Sequence, residues 1–176
     1  MTPAAVTVRR ATAADGEALL QALLCAVNWD PERPALGRDA VLADPALAHY
    51  VTGWPWADDL GVVATTGPDG AARPVGAARP VGAAWLRHLS PPDAGYGWVA
   101  PGVPEISIGV QADRRGQGIG RRLLRELLHA ARDAGIGRVS LSVERANRAR
   151  RLYLSEGFVA VSVSGAADTM VADLSG

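Results

Sequence analysis

Glu105-Ile106-Ser107-Ile108-Gly109-Val110 runs directly into Gln111-Ala112-Asp113-Arg114-Arg115-Gly116-Gln117-Gly118-Ile119-Gly120-Arg121-Arg122-Leu123-Leu124. The first segment alternates apolar and small residues, as a strand does, and the second opens a helix whose leucines recur at helical spacing. Between them lies a basic, glycine-rich turn. Glycine adopts backbone angles that other residues resist, and its missing side chain lets a ligand approach the main-chain N–H groups. The first N–H groups of a helix have no partner within it, and with the helix dipole they favour an anion. Arg115 and Arg121 add charges suited to phosphate oxygens. Strand, turn and helix therefore read as a phosphate cradle.

The glycines stand at 116, 118 and 120, which is not the G-x-G-x-x-G of a dinucleotide fold, and no Gly-Lys-Ser/Thr follows to make a P-loop. The pattern Arg-x-x-Gly-x-Gly, carried by Arg115, Gly118 and Gly120, resembles the acetyl-CoA pyrophosphate loop of the GNAT superfamily of N-acetyltransferases. A second stretch, Asn147-Arg148-Ala149-Arg150-Arg151-Leu152-Tyr153-Leu154-Ser155-Glu156-Gly157-Phe158, resembles the other signature of that superfamily, Asn-x-Ala-x-x-Leu-Tyr-x-x-x-Gly-Phe. It follows the loop after one helix and one strand, the order the family uses. The resemblance is strong from Glu105 to Phe158 and compatible elsewhere. It implies an α/β (α+β) GNAT fold: a mixed, mostly antiparallel sheet of about six to seven strands, helices on both faces, splayed at the central strands.

Composition is consistent with that reading. A chain of 176 residues is long enough to bury a core and is most simply one domain, residues 1–176. The acceptor side would fall in about 1–104 and the acetyl-CoA core in about 105–163. Apolar runs are too short to cross a membrane, and Met1-Thr2-Pro3-Ala4-Ala5 lacks the pattern of a secretory signal. Cys25, the one cysteine, excludes an intrachain disulfide, fits a reducing cytoplasm, and reads as core rather than nucleophile. All 18 basic residues are arginine. Residues 1–113 hold 7 of them against 12 acids, and residues 114–176 hold 11 against 6, so the net charge of zero hides a basic second half. That asymmetry suits a polyanionic cofactor. An arginine-rich nucleic-acid module is the rival, but no stripe of aromatics is interleaved to stack bases.

In chain order, Val6 to Arg10 reads as a first strand. Thr12-Ala13-Ala14-Asp15 is a capping box opening a helix with Leu19, Leu20, Leu23, Leu24 and Val27 on one face. Helical character returns from Arg38 to Val51, interrupted where Asp44 caps and Pro45 restarts the turn. Strands are expected at 60–65 and 81–89. Between them Ala71-Ala72-Arg73-Pro74-Val75-Gly76 is repeated as Ala77-Ala78-Arg79-Pro80-Val81-Gly82, which reads as a lengthened hairpin loop with its first copy exposed. Gly109 inside a strand suggests a bulge or close approach by a ligand. The helix after Gly120 ends near Gly135, alternation marks a strand at 139–143, and two closing strands span 158–163 and 168–173.

The resemblance assigns roles. Main-chain N–H groups of Gly116, Gln117, Gly118, Ile119, Gly120 and Arg121 would take the pyrophosphate, with Arg115 and Arg121 assisting. Ile108, Gly109 and Val110 would pair with the pantetheine arm as a strand does, and the Val110 N–H would hold the thioester oxygen. Asn147 and Tyr153 complete the cofactor side. Tyr153 stands where the family places its general acid: a phenol of pKa about 10 suits a departing thiolate of about 8.5. Glu105 is the expected base, acting through water, with Glu144 in reserve. Trp54, Trp56, Tyr96 and Trp98 are expected to line the acceptor site.

The chemistry implied is transfer of an acetyl group from acetyl-CoA to a primary amine of a small molecule or peptide, by direct attack in a ternary complex. A non-catalytic CoA-binding regulatory domain is the alternative within the fold. Family members are often dimers, so a homodimer is among the expectations. His49, His88 and His129 have no metal-ligand spacing, so no metal is implied, and His49 reads as structural.

Overall fold

The computed structural model describes residues 5–67 and 78–176, and the first hexapeptide copy at 71–76 lies outside that range. The strands are β1 Val6–Arg10, β2 Leu60–Thr66, β3 Arg79–Arg87, β4 Glu105–Val110, β5 Arg138–Glu144, β6 Val159–Ser164 and β7 Ala167–Asp173. The helices are α1 Gly16–Val27, α2 Arg38–Ala43, α3 Pro45–Ala48, α4 Ile119–Asp133 and α5 Ala149–Ser155. The strands make a seven-stranded sheet in the order β1-β2-β3-β4-β5-β7-β6. Every neighbouring pair is antiparallel except β4 and β5. No described helix is long and apolar enough to cross a membrane.

Alternation along the strands gives each face its own core. Val63, Ala83 and Trp85 pack against Leu19, Leu20 and Leu23 of α1 and against Val41 and Leu47. Val62, Ala64, Ala84, Leu86 and Ile106 meet Leu123, Leu124, Leu127 and Leu128 of α4 on the opposite face. The capping box starts the first helical segment as expected: the Ala14 N–H donates to the Thr12 hydroxyl, and the Thr12 N–H donates to Asp15 at 2.7 Å. At the break, Asp44 accepts from the Ala46 N–H at 3.0 Å, with Pro45 as the first residue of α3.

Two features of the sheet position the site. The parallel pair β4 and β5 shares one register pair, Glu105 with Ser140, beside a Ser140 N–H to Pro104 carbonyl bond of 3.0 Å. Beyond it the strands part. Because the Gln111 N–H donates towards β3, to the Val81 carbonyl at 2.9 Å, alternate residues Ile108 and Val110 turn their main-chain groups into the gap. The second feature is a buried knot at the end of β3. Arg87, fully buried, donates to Asp59 and to the carbonyls of His49 and Thr52, and its guanidinium lies 3.9 Å from the Trp56 ring centroid. It ties residues 49–59 to the sheet.

Gly109 corrects an expectation. The register with β3 runs unbroken through it. A Cβ there would stand 1.8 Å from the Ala22 carbonyl oxygen, so the backbone of α1 approaches this glycine, and no bulge interrupts its pairing with β3.

Candidate active site

The cradle is built by the turn between β4 and α4. Gly116 and Gly118 have φ of +75° and +80°, the left-handed region that favours glycine, and neither has any atom near enough to crowd a Cβ. The first backbone bond of the helix is from the Arg122 N–H to the Gly118 carbonyl, at 3.1 Å. Ahead of it, none of the N–H groups from Gly116 to Arg121 donates to a described residue. A run of unpaired donors at a helix N-terminus is the chemistry that receives a pyrophosphate. Gly120 joins this turn to both signatures: a Cβ on it would touch Leu152 of α5 at 3.7 Å and Val110 of β4 at 3.8 Å.

The arginines are engaged differently from the expectation. Arg115 donates to the carbonyls of Cys25, Trp29 and Val110, pinning the end of α1 to the end of β4. Arg121 and Arg125 both pair with Glu156 beyond α5. The main chain, more than these guanidinium groups, is left to meet an anion. Asn147 likewise has a local task, capping α5 through its side-chain oxygen on the Ala149 N–H at 2.9 Å.

Tyr153 is buried in the α4-side core beside Phe158, ring centroids 5.8 Å apart. Its hydroxyl has no hydrogen-bond partner among the described residues, and burial pushes it up, so it holds its proton at neutral pH. Glu105 lies at the closed end of the gap, 4% exposed. Its Oε1 accepts from the Tyr50 hydroxyl and from the Gly97 N–H, each at 2.8 Å. Burial raises the Glu105 carboxyl above the ordinary range, against the opposing pull of those two donors.

The raised value has a sign that can be tested. An acid bound more tightly to its proton in the folded state stabilises the fold at low pH, and that contribution is lost as pH rises through the folded value. Glu105→Gln keeps an acceptor for Tyr50 and Gly97 and removes the buried charge. Thermal melts at pH 5 and pH 8 should show the variant gaining roughly 2–4 °C over the wild type at the higher pH only, the shift about 1 kcal/mol makes in a chain of this size. An equal difference at both pH values would mean the carboxyl does not titrate as its burial requires.

The expected acceptor residues are divided. Trp98 is half-buried against the α1-side core, and Tyr96 is exposed, its N–H donating to the Tyr50 hydroxyl at 2.8 Å. Both belong to the loop over Glu105. Trp54 and Trp56 do not. They line a cavity of about 520 Å³ with Arg10, Leu60, Asp133 and Ala134, at the end of α4 away from the cradle. Fifteen helical residues put those two ends about 22 Å apart. Trp54 is held there by its indole N–H on the Thr12 carbonyl, and Trp56 by its stack on Arg87.

Glu144 is bidentate to Arg33 and also takes the Trp29 indole N–H, so its carboxyl is held below the usual range and is poorly suited as a base. Cys25 is half-buried rather than core. His129 is exposed. Residues that spacing did not single out prove central: Tyr50, with Glu105 as its partner 55 positions on, and Asp93, the partner of His49. No group of side chains among the described residues is arranged to hold a metal ion.

Residues 28–158 match the acetyltransferase (GNAT) family. No curated protein matches the chain. Among solved structures, the PaiA N-acetyltransferase of Thermoplasma acidophilum, in complex with coenzyme A, is similar at 16% identity with a TM-score of 0.61, covering 96% of this chain and 99% of that one. A GNAT-family acetyltransferase of Staphylococcus aureus gives 14% and 0.66, with 97% and 99% covered. A GCN5-related N-acetyltransferase of Kribbella flavida gives 20% and 0.62, with 96% and 98% covered. At these identities what is shared is the fold.

Proposed function

The chain belongs to the GNAT family of acetyltransferases, which transfer acetyl groups from acetyl-CoA, and on that premise we propose that it acetylates a primary amine of a small molecule or peptide by direct attack in a ternary complex. The observation that carries this reading is the run of unpaired N–H groups from Gly116 to Arg121, set beside the open main-chain edge of β4. The residues present fit the donor molecule. The turn takes its pyrophosphate, and the main-chain groups of Ile108 and Val110 take the pantetheine arm as a neighbouring strand would. The Val110 N–H is aimed at the thioester oxygen, where negative charge grows during attack. Acting through water, Glu105 takes a proton from the acceptor ammonium, the neutral amine adds to the thioester carbon, and the carbon–sulfur bond breaks. Tyr153 then gives its proton to the thiolate, and the second proton that the nitrogen sheds as the amide forms restores the phenol.

Calorimetric titration tests the cradle. Wild-type protein should bind acetyl-CoA and CoA with micromolar affinity. Gly118→Asp strains a residue at φ +80° and sets a carboxylate against the phosphates, so binding should weaken at least 100-fold, about 2.7 kcal/mol. A wild type that binds neither ligand overturns the reading. Retained affinity in the variant moves the phosphate site elsewhere.

A further inference from the structure

Four buried side-chain polar atoms lack a hydrogen-bond partner among the described residues: His49 Nε2, Trp98 Nε1, Glu105 Oε2 and Ser140 Oγ. Buried polar atoms are nearly always paired, and unpaired ones call for a reason such as a reacting group or an internal water. The residues that bear them are linked through Glu105. Ser140 is the register partner of Glu105, and Trp98 follows the Gly97 whose N–H holds Glu105. His49 precedes Tyr50, whose hydroxyl donates to Glu105, and the two rings meet edge to face with centroids 4.4 Å apart.

Glu105 is roofed over. A Cβ on Gly95 would lie 2.1 Å from its Oε2, and one on Gly97 would lie 2.5 Å from the Leu141 carbonyl carbon. The loop is thus pressed against both strands, and a proton taken up by Glu105 needs an inner route to solvent. Of the four, His49 is the one hydrogen-bonded to an exposed carboxylate. Its Nδ1 lies 2.7 Å from Asp93 Oδ1, and the Asp93 side chain is 51% exposed where that of His49 is 8%. A carboxylate can only accept, so Nδ1 carries a proton, and in the neutral imidazole the buried Nε2 keeps a lone pair. The Arg87 guanidinium, neutralised by Asp59, fixes the His49 carbonyl from below.

We propose that His49, held by Asp93, is the proton outlet of the acceptor site. It rests on Glu105 being the base of the acetyl transfer. The carboxylate takes a proton from the acceptor ammonium and passes it to His49 Nε2, directly or through one water. The imidazolium, paired with Asp93, then releases a proton to bulk solvent, so that the carboxylate and neutral imidazole are restored. The charged and titratable groups around the ring are Asp93 from the β3–β4 connection, Glu105 from β4, Arg87 from β3 and the neighbouring Tyr50.

The test uses the full chain and two readouts. Long-range proton–nitrogen spectra of the neutral imidazoles should place the His49 proton on Nδ1 and leave Nε2 bare, the signal being assigned by its loss in His49→Gln. Glu105→Gln should move the His49 nitrogen signals and leave those of His88 and His129 in place. Asp93→Asn, a change on an exposed loop that keeps the side-chain shape, should mix the tautomers. With the amine that gives the fastest thiol release from a panel of spermidine, phenethylamine and an alanyl peptide, Asp93→Asn and His49→Gln should lower kcat by about 10²-fold with the acetyl-CoA KM unchanged. A proton found on Nε2, or His49 signals indifferent to Glu105→Gln, overturns the outlet while acetyl-CoA binding by wild type keeps the transferase reading intact. Absence of that binding sinks the transferase reading, whatever the spectra give.

Discussion

Tyr153→Phe is expected to lower kcat by about 10²- to 10⁴-fold while acetyl-CoA affinity and thermal stability stay within error of the wild type. The reasoning starts from what the hydroxyl does not do. It has no partner among the described residues, so its removal strands no donor or acceptor, and the ring keeps its packing in the α4-side core. Deleting an unpaired hydroxyl from the end of a buried ring is near neutral for folding. The chemistry differs: burial keeps the phenol protonated, which suits a group that must hand a proton to a thiolate leaving into an apolar wall. Thiol-release kinetics beside a melting curve separate the two effects. A variant with unchanged kcat would remove Tyr153 from the acid role, and one that melts early would return it to the core alone.

Arg87→Met should cost about 3–5 kcal/mol, because it leaves the Asp59 carboxylate buried without its counter-charge. The arginine side chain is fully buried and its partner is 1% exposed, so solvent cannot substitute for the lost pair. The carbonyls of His49 and Thr52 lose donors in the same step, and Trp56 loses the cation beneath its ring. Denaturant unfolding measures the loss. The double change Arg87→Met with Asp59→Leu should recover much of it, since an apolar replacement of both charges leaves no ion in the interior. A loss below about 1 kcal/mol in the single variant would mean that Asp59 finds water or another partner.

The span from Glu105 to Phe158 was legible because its information is local. Alternation marked β4, the leucine stripe marked α4, closely spaced glycines marked the turn between them, and each could be read within one window. The acceptor side was not legible in that way. An arginine at the end of an apolar strand reads as a surface residue, and Arg87 is buried only because Asp59 lies 28 positions earlier and two carbonyls converge on it. Trp54 and Trp56 looked like pocket aromatics, and they are, but of a cavity at the far end of α4, where the sheet and not the local sequence decides their place. Gly109 signalled that something comes close; only the packing of α1 says what. His49 looked structural, and nothing in spacing links it to Asp93, 44 positions on.

The single register pair between β4 and β5 has a mechanical consequence. A sheet joined across its middle by one rung behaves as two plates on a pin: β1 to β4 on one side, β5 to β7 on the other. When such plates swing, displacement grows with distance from the pin, so the lips at Val110 and Glu144 travel furthest. Glu105 is the pin. The carboxylate stands at the joined end and the mouth at the free end, so the placing of the one does not fix the width of the other.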